Sequence, residues 1–108
     1  INRGGEKISA EEIENLILAH EHVQMVAVVA MPDPVMGEKS CAFVVPKPGH
    51  SITLQQLCDF LLQKQIAKFK LPERLELVQS FPLTSVGKVS KKDLRIQIAE
   101  RLKAEGRL

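Results

Sequence analysis

The sequence has 108 residues, the size of one domain, and its 44% hydrophobic and 26% charged residues are ordinary for a globular protein. It contains no Trp, no Tyr and four Phe, which argues against the aromatic platforms that stack the bases of single-stranded nucleic acid. The net charge of +2 is uneven, because residues 86–108 hold seven Lys or Arg against three acids, a balance typical of a solvated helix face or of a surface that attracts an anion.

The chain opens with a pattern that predicts a hairpin followed by a helix. Gly4 and Gly5 supply the two positive-φ positions of a tight turn. Ser9 is placed to cap the helix, and Glu12, three residues later, completes a capping box. Three acids lie near the helix start: Glu11, Glu12 and Glu14. Their position indicates that they interact with the positive end of the helix dipole and do not act as acid–base catalysts.

Three strands and two further helices follow. Residues 23–31 and 41–45 are apolar runs typical of strands buried on both faces, with MPDPVMG between them, and residues 74–78 predict a third strand. A helix starts near Thr53, and Ser90 is placed to cap another whose inward face is Leu94, Ile98 and Leu102. The order indicates an α+β fold, with a small three-stranded sheet flanked by helices and an N-terminal two-stranded hairpin.

The two cysteines and the hydropathy of the chain bear on its compartment. Cys41 and Cys58 lie in apolar segments without CxxC spacing, which indicates buried, reduced thiols. No apolar run approaches the length of a membrane-spanning helix. We therefore expect a cytoplasmic protein that does not enter a membrane.

Several familiar site patterns are incomplete in this chain. MGEKS and VGKVS each pair a glycine with a lysine, but both lack the earlier glycine of a phosphate-binding P-loop. His20 and His22 alternate without a second group of ligands, so we expect a helix terminus there rather than a metal site. No Ser-His-Asp or Cys-His arrangement is readable. The sequence therefore predicts no metal centre and no self-contained active site.

Lys88 is the remaining candidate for chemistry. Gly87 removes side-chain bulk beside it, so that the backbone can approach a ligand closely, and Thr84 and Ser85 can order the loop by local hydrogen bonds. Lysine is a long, flexible point charge that suits a phosphate oxygen. From these residues alone, a solvated basic turn and a functional lysine both stay open.

Four segments of the chain carry a resemblance that bears on this choice: INRGGEKISAEEIE, MGEKSCAFVV, KFKLPERLELV and PLTSVGKVSKKDLR. In this order they are similar to the C-terminal segments of the adenylate-forming superfamily, which includes acyl-CoA synthetases, firefly luciferase and the adenylation domains of nonribosomal peptide synthetases. The first departs from the family at Asn2, where many members have lysine. The last resembles the final core motif of the family, with matches at Pro82, Thr84, Gly87, Lys88, Leu94 and Arg95.

The resemblance covers essentially the whole chain and implies that residues 1–108 are the C-terminal lid domain of an adenylate-forming ligase, with the large N-terminal domain absent. INRGGEKI, MGEKSCAF and FKLPER look most like the aryl-acid branch, the 2,3-dihydroxybenzoate–AMP ligases of siderophore synthesis. The alternative within the superfamily is the same domain of an acyl-CoA synthetase or of an amino-acid adenylation domain. The alternative from another class is an independent module whose basic last helix binds nucleic acid or an acidic protein.

The resemblance also implies a first half-reaction, in which an aryl-acid carboxylate attacks the α-phosphate of ATP and pyrophosphate leaves. Lys88 would stabilise the charge that develops on the oxygens, and Thr84 and Gly87 would support its loop. ATP and its Mg²⁺ would be bound mainly by the N-terminal domain of the same protein.

A second half-reaction is implied after a rotation of the small domain. Gly4 and Gly5 would then wall a tunnel for the phosphopantetheine thiol of an acyl or aryl carrier protein. Arg3 and Lys39 are the candidate docking cations for that acidic partner. Neither nucleic acid nor a membrane is an expected partner.

Overall fold

The computed structural model describes all 108 residues and contains five strands, three α-helices and a short 3-10 helix. In chain order these are β1 Asn2–Arg3, β2 Glu6–Lys7, α1 Ala10–Leu18, β3 Val23–Asp33, β4 Gly37–Pro46, α2 Leu54–Gln63, the 3-10 helix Lys68–Lys70, β5 Arg74–Leu77 and α3 Lys91–Ala104. The predicted order of elements is confirmed, and the two long strands extend beyond residues 23–31 and 41–45.

All five strands belong to one sheet. β3 and β4 form its long antiparallel pair, β5 lies parallel to β4, and β1 meets the start of β4 where Arg3 lies opposite Gly37. The α+β class is confirmed, but the hairpin is part of the sheet and does not stand beside a separate three-stranded one. The hairpin joins the sheet through a tertiary backbone contact. The Gly4 N–H donates to the Met36 carbonyl at 2.8 Å, which connects the hairpin to the β3–β4 turn.

Strand alternation divides the core into two layers, one on each face of the sheet. The layer under α1 and α2 includes Ile13, Ile17, Val28, Ala42, Val44, Leu57 and Leu61. The layer under α3 includes Val29, Cys41, Phe43, Leu94, Ile98 and Leu102. The predicted burial of both strand faces is therefore confirmed, as is the inward face of the last helix.

Side-chain caps start α1 and α2, although not both as expected. The Ser9 hydroxyl accepts the Glu12 N–H at 3.3 Å, but the Glu12 carboxylate turns to the Lys70 ammonium at 3.1 Å. The predicted capping box is therefore only half formed. The complete box lies at α2, where the Thr53 hydroxyl accepts the Gln56 N–H and the Gln56 side chain accepts the Thr53 N–H.

Glu14 covers the free edge of β3. Its Oε2 atom accepts the Val28 N–H at 2.8 Å and contacts the Lys91 ammonium at 2.7 Å. It thereby ties α1 to the sheet edge and to the first residue of α3. The interpretation of Glu14 as an acid that serves the helix start is wrong, because its carboxylate satisfies a strand N–H that would otherwise lack a partner.

The prediction of unpaired thiols is confirmed, whereas the prediction of burial holds for only one of the two cysteines. Cys41 and Cys58 are both free; Cys41 is completely buried, and burial raises the pKa of its thiol to about 12, whereas Cys58 is half-buried. None of the helices combines the length and the apolar character that a bilayer crossing requires.

Candidate functional site

Residues 82–90, here called the lysine loop, form a small hairpin that leads into α3. Leu83 and Val89 pair across it, the Thr84 N–H donates to the Lys88 carbonyl at 2.7 Å, and the Gly87 N–H donates to the Thr84 carbonyl at 2.9 Å. Gly87 has a φ of +81°. This is the pattern of a tight turn followed by a bulge residue in the left-handed region, which explains a glycine at this position.

Two side chains complete the loop. The Thr84 hydroxyl accepts the Lys88 N–H at 3.2 Å, so Thr84 orders the loop by a local bond, as its residue type predicts. The Ser90 N–H donates to the Pro82 carbonyl at 2.8 Å, and the Ser90 hydroxyl caps α3 by accepting the Asp93 N–H at 3.3 Å. The path of the backbone on both sides of Lys88 is thus set by hydrogen bonds within a short stretch of chain.

The Lys88 side chain is exposed and forms no salt bridge. A Cβ added to Gly87 would meet no atom within 4 Å, so this glycine is required by its conformation rather than by crowding within the domain. The arrangement presents one flexible cation at the end of a well-ordered turn. An anion that approaches this side would meet a charge that no carboxylate of the chain neutralises.

The two glycines of the N-terminal hairpin have different surroundings. Gly4 and Gly5 have φ values of +58° and +94°, as the tight turn requires. A Cβ on Gly4 would lie 2.7 Å from the Met36 Cε, whereas a Cβ on Gly5 would meet nothing within 4 Å. The small size of Gly4 therefore serves packing inside the domain, and only Gly5 leaves its space open to an outside group.

Arg3 and Lys39 are both held in ion pairs within the domain. Arg3 donates through Nε at 3.1 Å and Nη2 at 2.8 Å to one oxygen of Glu73, and this hydrogen bond raises the pKa of the guanidinium. The Lys39 ammonium lies 3.4 Å from Asp33. Both cations are half-buried, so their charge is already balanced locally. Their role in docking a carrier protein stays a prediction.

Asp33 organises the β3–β4 turn, and sequence reasoning missed it. Its carboxylate accepts the Met36 N–H at 2.8 Å and the Val35 N–H at 3.1 Å. The Met36 N–H, with the Val35 N–H and Lys39 adding to it, holds the pKa of the Asp33 carboxyl below its usual range. An Asp before Pro at the end of a strand is a recognisable turn signal, so the role of Asp33 in this turn could have been predicted from the sequence.

The structure thus sorts the predicted site residues into two groups. Arg3, Gly4, Gly5 and Lys39 lie around the meeting point of the hairpin and the β3–β4 turn. Thr84, Gly87 and Lys88 lie on the lysine loop, and no hydrogen bond or salt bridge joins the two groups. A surface cleft of about 750 Å³ includes Lys39 but neither Lys88 nor the two hairpin glycines.

The three histidines come closer together than the sequence indicates. The rings of His22 and His50 stack at 4.6 Å between centroids, and the rings of His20 and His22 meet edge to face at 5.2 Å. Partial burial lowers the pKa of His20, and the neighbouring His22 lowers it further. No group of three His, Cys, Asp or Glu side chains in the domain is arranged to hold a metal ion.

Comparison with known proteins identifies the relatives of this domain. The profile of one family, described as AMP-binding enzyme C-terminal domain, matches residues 12–88. The 2,3-dihydroxybenzoate-AMP ligase of Bacillus subtilis is 51% identical over 104 residues, which are 96% of this chain and 19% of the relative. Enterobactin synthase component E of Escherichia coli is 56% identical, with the same 96% and 19% covered.

A solved structure is similar to this chain in both fold and sequence. Apo MbtA of Mycobacterium smegmatis superposes with a TM-score of 0.84 at 41% identity, over 89% of this chain and 18% of that one. The chain spans about a fifth of the length of the curated relatives it matches.

Proposed function

The chain belongs to the AMP-binding enzyme C-terminal domain family, and from that premise we propose that it is the mobile C-terminal domain of an aryl-acid AMP ligase. The proposed acid is 2,3-dihydroxybenzoate, which the name of the Bacillus subtilis relative supports, and the proposed role is siderophore synthesis, which the name of the Escherichia coli relative supports. The cytoplasm is the proposed compartment, and two free thiols support it because disulfides are rare there.

One observation carries the adenylation part of this proposal: Lys88 is an exposed cation on an ordered loop, and no carboxylate of the domain pairs with it. When a carboxylate oxygen attacks the α-phosphate and pyrophosphate departs, negative charge spreads over the attacking and leaving oxygens. A cation that is already in place lowers this barrier without reorganisation. Lys88 supplies such a cation without having to leave a partner, and Thr84 orients the backbone that carries it.

The residues of this domain fit only part of the ATP site. No cluster of carboxylates is arranged for Mg²⁺, so in this proposal the larger domain holds the metal and most of the nucleotide. Mg²⁺, when bound, neutralises charge on the phosphate oxygens. The contribution of this chain is the Lys88 ammonium, directed at a phosphate oxygen, together with the loop that orients it.

In the acyl-transfer part of the proposal, the hairpin turn lines the path of the phosphopantetheine thiol. Gly5 is the better supported of the two glycines, because its side faces open space while the side of Gly4 is filled by Met36. A phosphopantetheine arm on a carrier protein would therefore pass beside Gly5. Arg3 and Lys39 would take part in docking only by exchanging Glu73 and Asp33 for acids of the carrier, which costs them their present pairs.

The test separates the two half-reactions in the full-length enzyme. Lys88→Ala should lower ATP–pyrophosphate exchange with 2,3-dihydroxybenzoate by about 100- to 1,000-fold, the cost of removing one preorganised charge-stabilising group. Transfer of the acyl group from preformed acyl-adenylate to the carrier protein should be nearly unchanged. Lys88→Arg tests whether charge alone suffices, and we expect it to restore only part of the exchange because the guanidinium is larger and planar.

Three results would count against the proposal or a part of it. Equal loss of exchange and transfer in Lys88→Ala would show that Lys88 does not act in adenylation alone. Normal exchange in Lys88→Ala would remove the lysine from the mechanism altogether. Exchange with a fatty acid and not with 2,3-dihydroxybenzoate or salicylate would keep the family and change the substrate.

A further inference from the structure

Met36 joins the β3–β4 turn to the N-terminal hairpin. Its N–H donates to the Asp33 carboxylate at 2.8 Å, and its carbonyl accepts the Gly4 N–H at 2.8 Å. Its side chain lies against the same glycine, because a Cβ built on Gly4 would be 2.7 Å from the Met36 Cε and 3.5 Å from its Sδ. The thioether therefore supports the turn that carries Gly5, and neither proposed half-reaction uses its sulfur.

We propose that Met36 is a modification site: a peroxide oxidises its thioether to the sulfoxide, which displaces the hairpin turn and suppresses acyl transfer while adenylation continues. The inference rests on the proposed function, because the turn matters for transfer only if it lines the path of the phosphopantetheine thiol. The oxidant belongs to the class of small hydroperoxides, and hydrogen peroxide is its probe. Methionine sulfoxide is reduced enzymatically, so the change is reversible.

The other sulfur atoms of the domain are less suited to this role. Cys41 is completely buried, and burial raises the pKa of its thiol to about 12, while burial also raises the pKa of Cys58. Oxidation of a thiol proceeds through the thiolate, so both cysteines resist it near neutral pH. Met31 is buried, and Met25 is 42% exposed but lies near the start of β3, at the other end of the strand from the turn. Met36 is half-buried, needs no deprotonation, and is the methionine whose side chain lies against the hairpin.

The oxidation step changes one side chain and nothing in the backbone. The Met36 Sδ attacks one oxygen of hydrogen peroxide, so that an S–O bond forms as the O–O bond breaks. Two electrons pass from the sulfur to the peroxide, and the departing hydroxide takes the proton of the transferred oxygen and leaves as water. The product has a polar, chiral S–O group where the thioether was apolar.

The sulfoxide is expected to give up the present contact with Gly4. The Met36 methyl group and sulfur fill the space beside this glycine so closely that a single added Cβ would not fit. An oxygen on the sulfur therefore presses on the turn, or the side chain rotates toward water, where a polar group is better solvated. In either case the turn loses the packing that holds it in place.

The structure confines the effect to one half-reaction. Met36 is bonded to the hairpin, whereas no hydrogen bond or salt bridge joins it to the lysine loop. Movement of the turn should therefore shift the wall that faces the thiol and leave Lys88 where it is. A displacement of about 1 Å in a positioning element is enough to lower a rate by about 100-fold.

Peroxide treatment of the full-length enzyme is the central experiment. The enzyme is exposed to hydrogen peroxide, the peroxide is destroyed with catalase, and only then are preformed acyl-adenylate and carrier protein added, so that the carrier thiol is never oxidised. Transfer should fall about 10- to 100-fold as Met36 becomes the sulfoxide, which peptide mass spectrometry measures. ATP–pyrophosphate exchange by the same treated enzyme should keep its untreated rate.

Three variants assign the effect to one sulfur, each compared with its own untreated sample. Met36→Leu keeps the apolar volume without the sulfur and should be insensitive to peroxide. Met25→Leu, at the more exposed methionine, should lose transfer as the wild type does. Met36→Gln places a polar group at the same point and should show low transfer with normal exchange before any treatment. Methionine sulfoxide reductases should restore transfer to the treated wild type.

The outcomes separate this inference from the proposed function. Full transfer by enzyme whose Met36 is completely oxidised would overturn the modification site and leave the proposed function standing. The same holds if Met36→Leu is as sensitive to peroxide as the wild type, if Met36 stays reduced while Met25 is oxidised, or if exchange falls in step with transfer. Absence of exchange with any aryl acid in the untreated enzyme would overturn the proposed function and this inference with it.

Discussion

The hairpin turn at Gly4 and Gly5 and the lysine loop are both tight turns built on glycines with positive φ, yet they are held in place in opposite ways. The hairpin depends on distant residues: Gly4 is bonded to Met36, and Arg3 is bonded to Glu73, 70 positions away. The lysine loop depends on itself, since its hydrogen bonds join residues no further apart than Pro82 and Ser90.

This difference predicts how each region responds to substitution. The hairpin turn is part of the sheet, so changes there should alter stability and function together. The lysine loop is stabilised locally and is mostly exposed, so changes there should alter function with little effect on the free energy of unfolding.

Glu14 provides the strongest test of this contrast. Its carboxylate joins β3 to Lys91, the first residue of the helix that follows the lysine loop. Glu14→Ala removes the partner of the Val28 N–H and of Lys91, and it should lower the free energy of unfolding by about 1–3 kcal/mol. Urea denaturation measures this change. Glu14→Gln should recover part of the loss because its amide oxygen can still accept the N–H, and Glu11→Ala on the exposed side of α1 is the control. Equal values for Glu11→Ala and Glu14→Ala would make the edge contact unimportant.

A matched pair of glycines tests the contrast at the turns themselves. Gly87→Ala places a side chain at φ +81° in open space and should cost about 1 kcal/mol of conformational strain. Gly4→Ala should cost slightly more, because the new methyl group also meets the Met36 Cε at 2.7 Å and the flexible end of that side chain must move aside. In a Met36→Ala background the difference between the two substitutions should shrink, and thermal unfolding of the four variants measures it. A difference that persists without Met36 would refute the packing explanation.

Acid titration distinguishes the two regions, because a carboxylate with a lowered pKa lies beside the hairpin and none lies on the lysine loop. The pKa of Asp33 is depressed in the folded state, first by the Met36 N–H, so its carboxylate stabilises the fold above its ordinary pKa of 3.8, and this stabilisation disappears as the pH falls through the folded value. Asp33→Asn should therefore lower the melting temperature at pH 7 and lose its effect at strongly acid pH. The lysine loop contains no carboxylate, so Lys88→Ala should follow the wild-type curve throughout. A pH-independent effect of Asp33→Asn would show that the charge is not what matters.

The smallest expected effect is that of Thr84→Val. This change removes the hydroxyl that accepts the Lys88 N–H at 3.2 Å but leaves the backbone bonds of the loop in place. Because the site is exposed, water can replace the hydroxyl, and the free energy of unfolding should fall by about 0.5 kcal/mol or less. ATP–pyrophosphate exchange should fall less than in Lys88→Ala. A larger loss of stability from Thr84→Val than from Gly4→Ala would reverse the comparison.

Much of the fold was predictable because its signals are local. Periodic apolar residues indicated both long strands and the inward face of α3, and Ser90 marked the helix start. The Gly4-Gly5 pair indicated the hairpin. The capping box was half wrong at Glu12, because Lys70, 58 positions away, competes for the same carboxylate. Glu14 was misinterpreted for a similar reason, since its partners lie on two other elements.

The sequence by itself determined the strand and helix order and the build of the lysine loop, because those features depend on side chains a few positions apart. It also carried the family motifs that single out Lys88. Only the tertiary structure decided that the hairpin joins the sheet, that Gly4 is filled by Met36 while Gly5 stays open, and that Arg3 and Lys39 are paired with Glu73 and Asp33. Each of these results depends on which surfaces the fold brings together, and a charge or a glycine read along the chain does not specify its partner across the sheet.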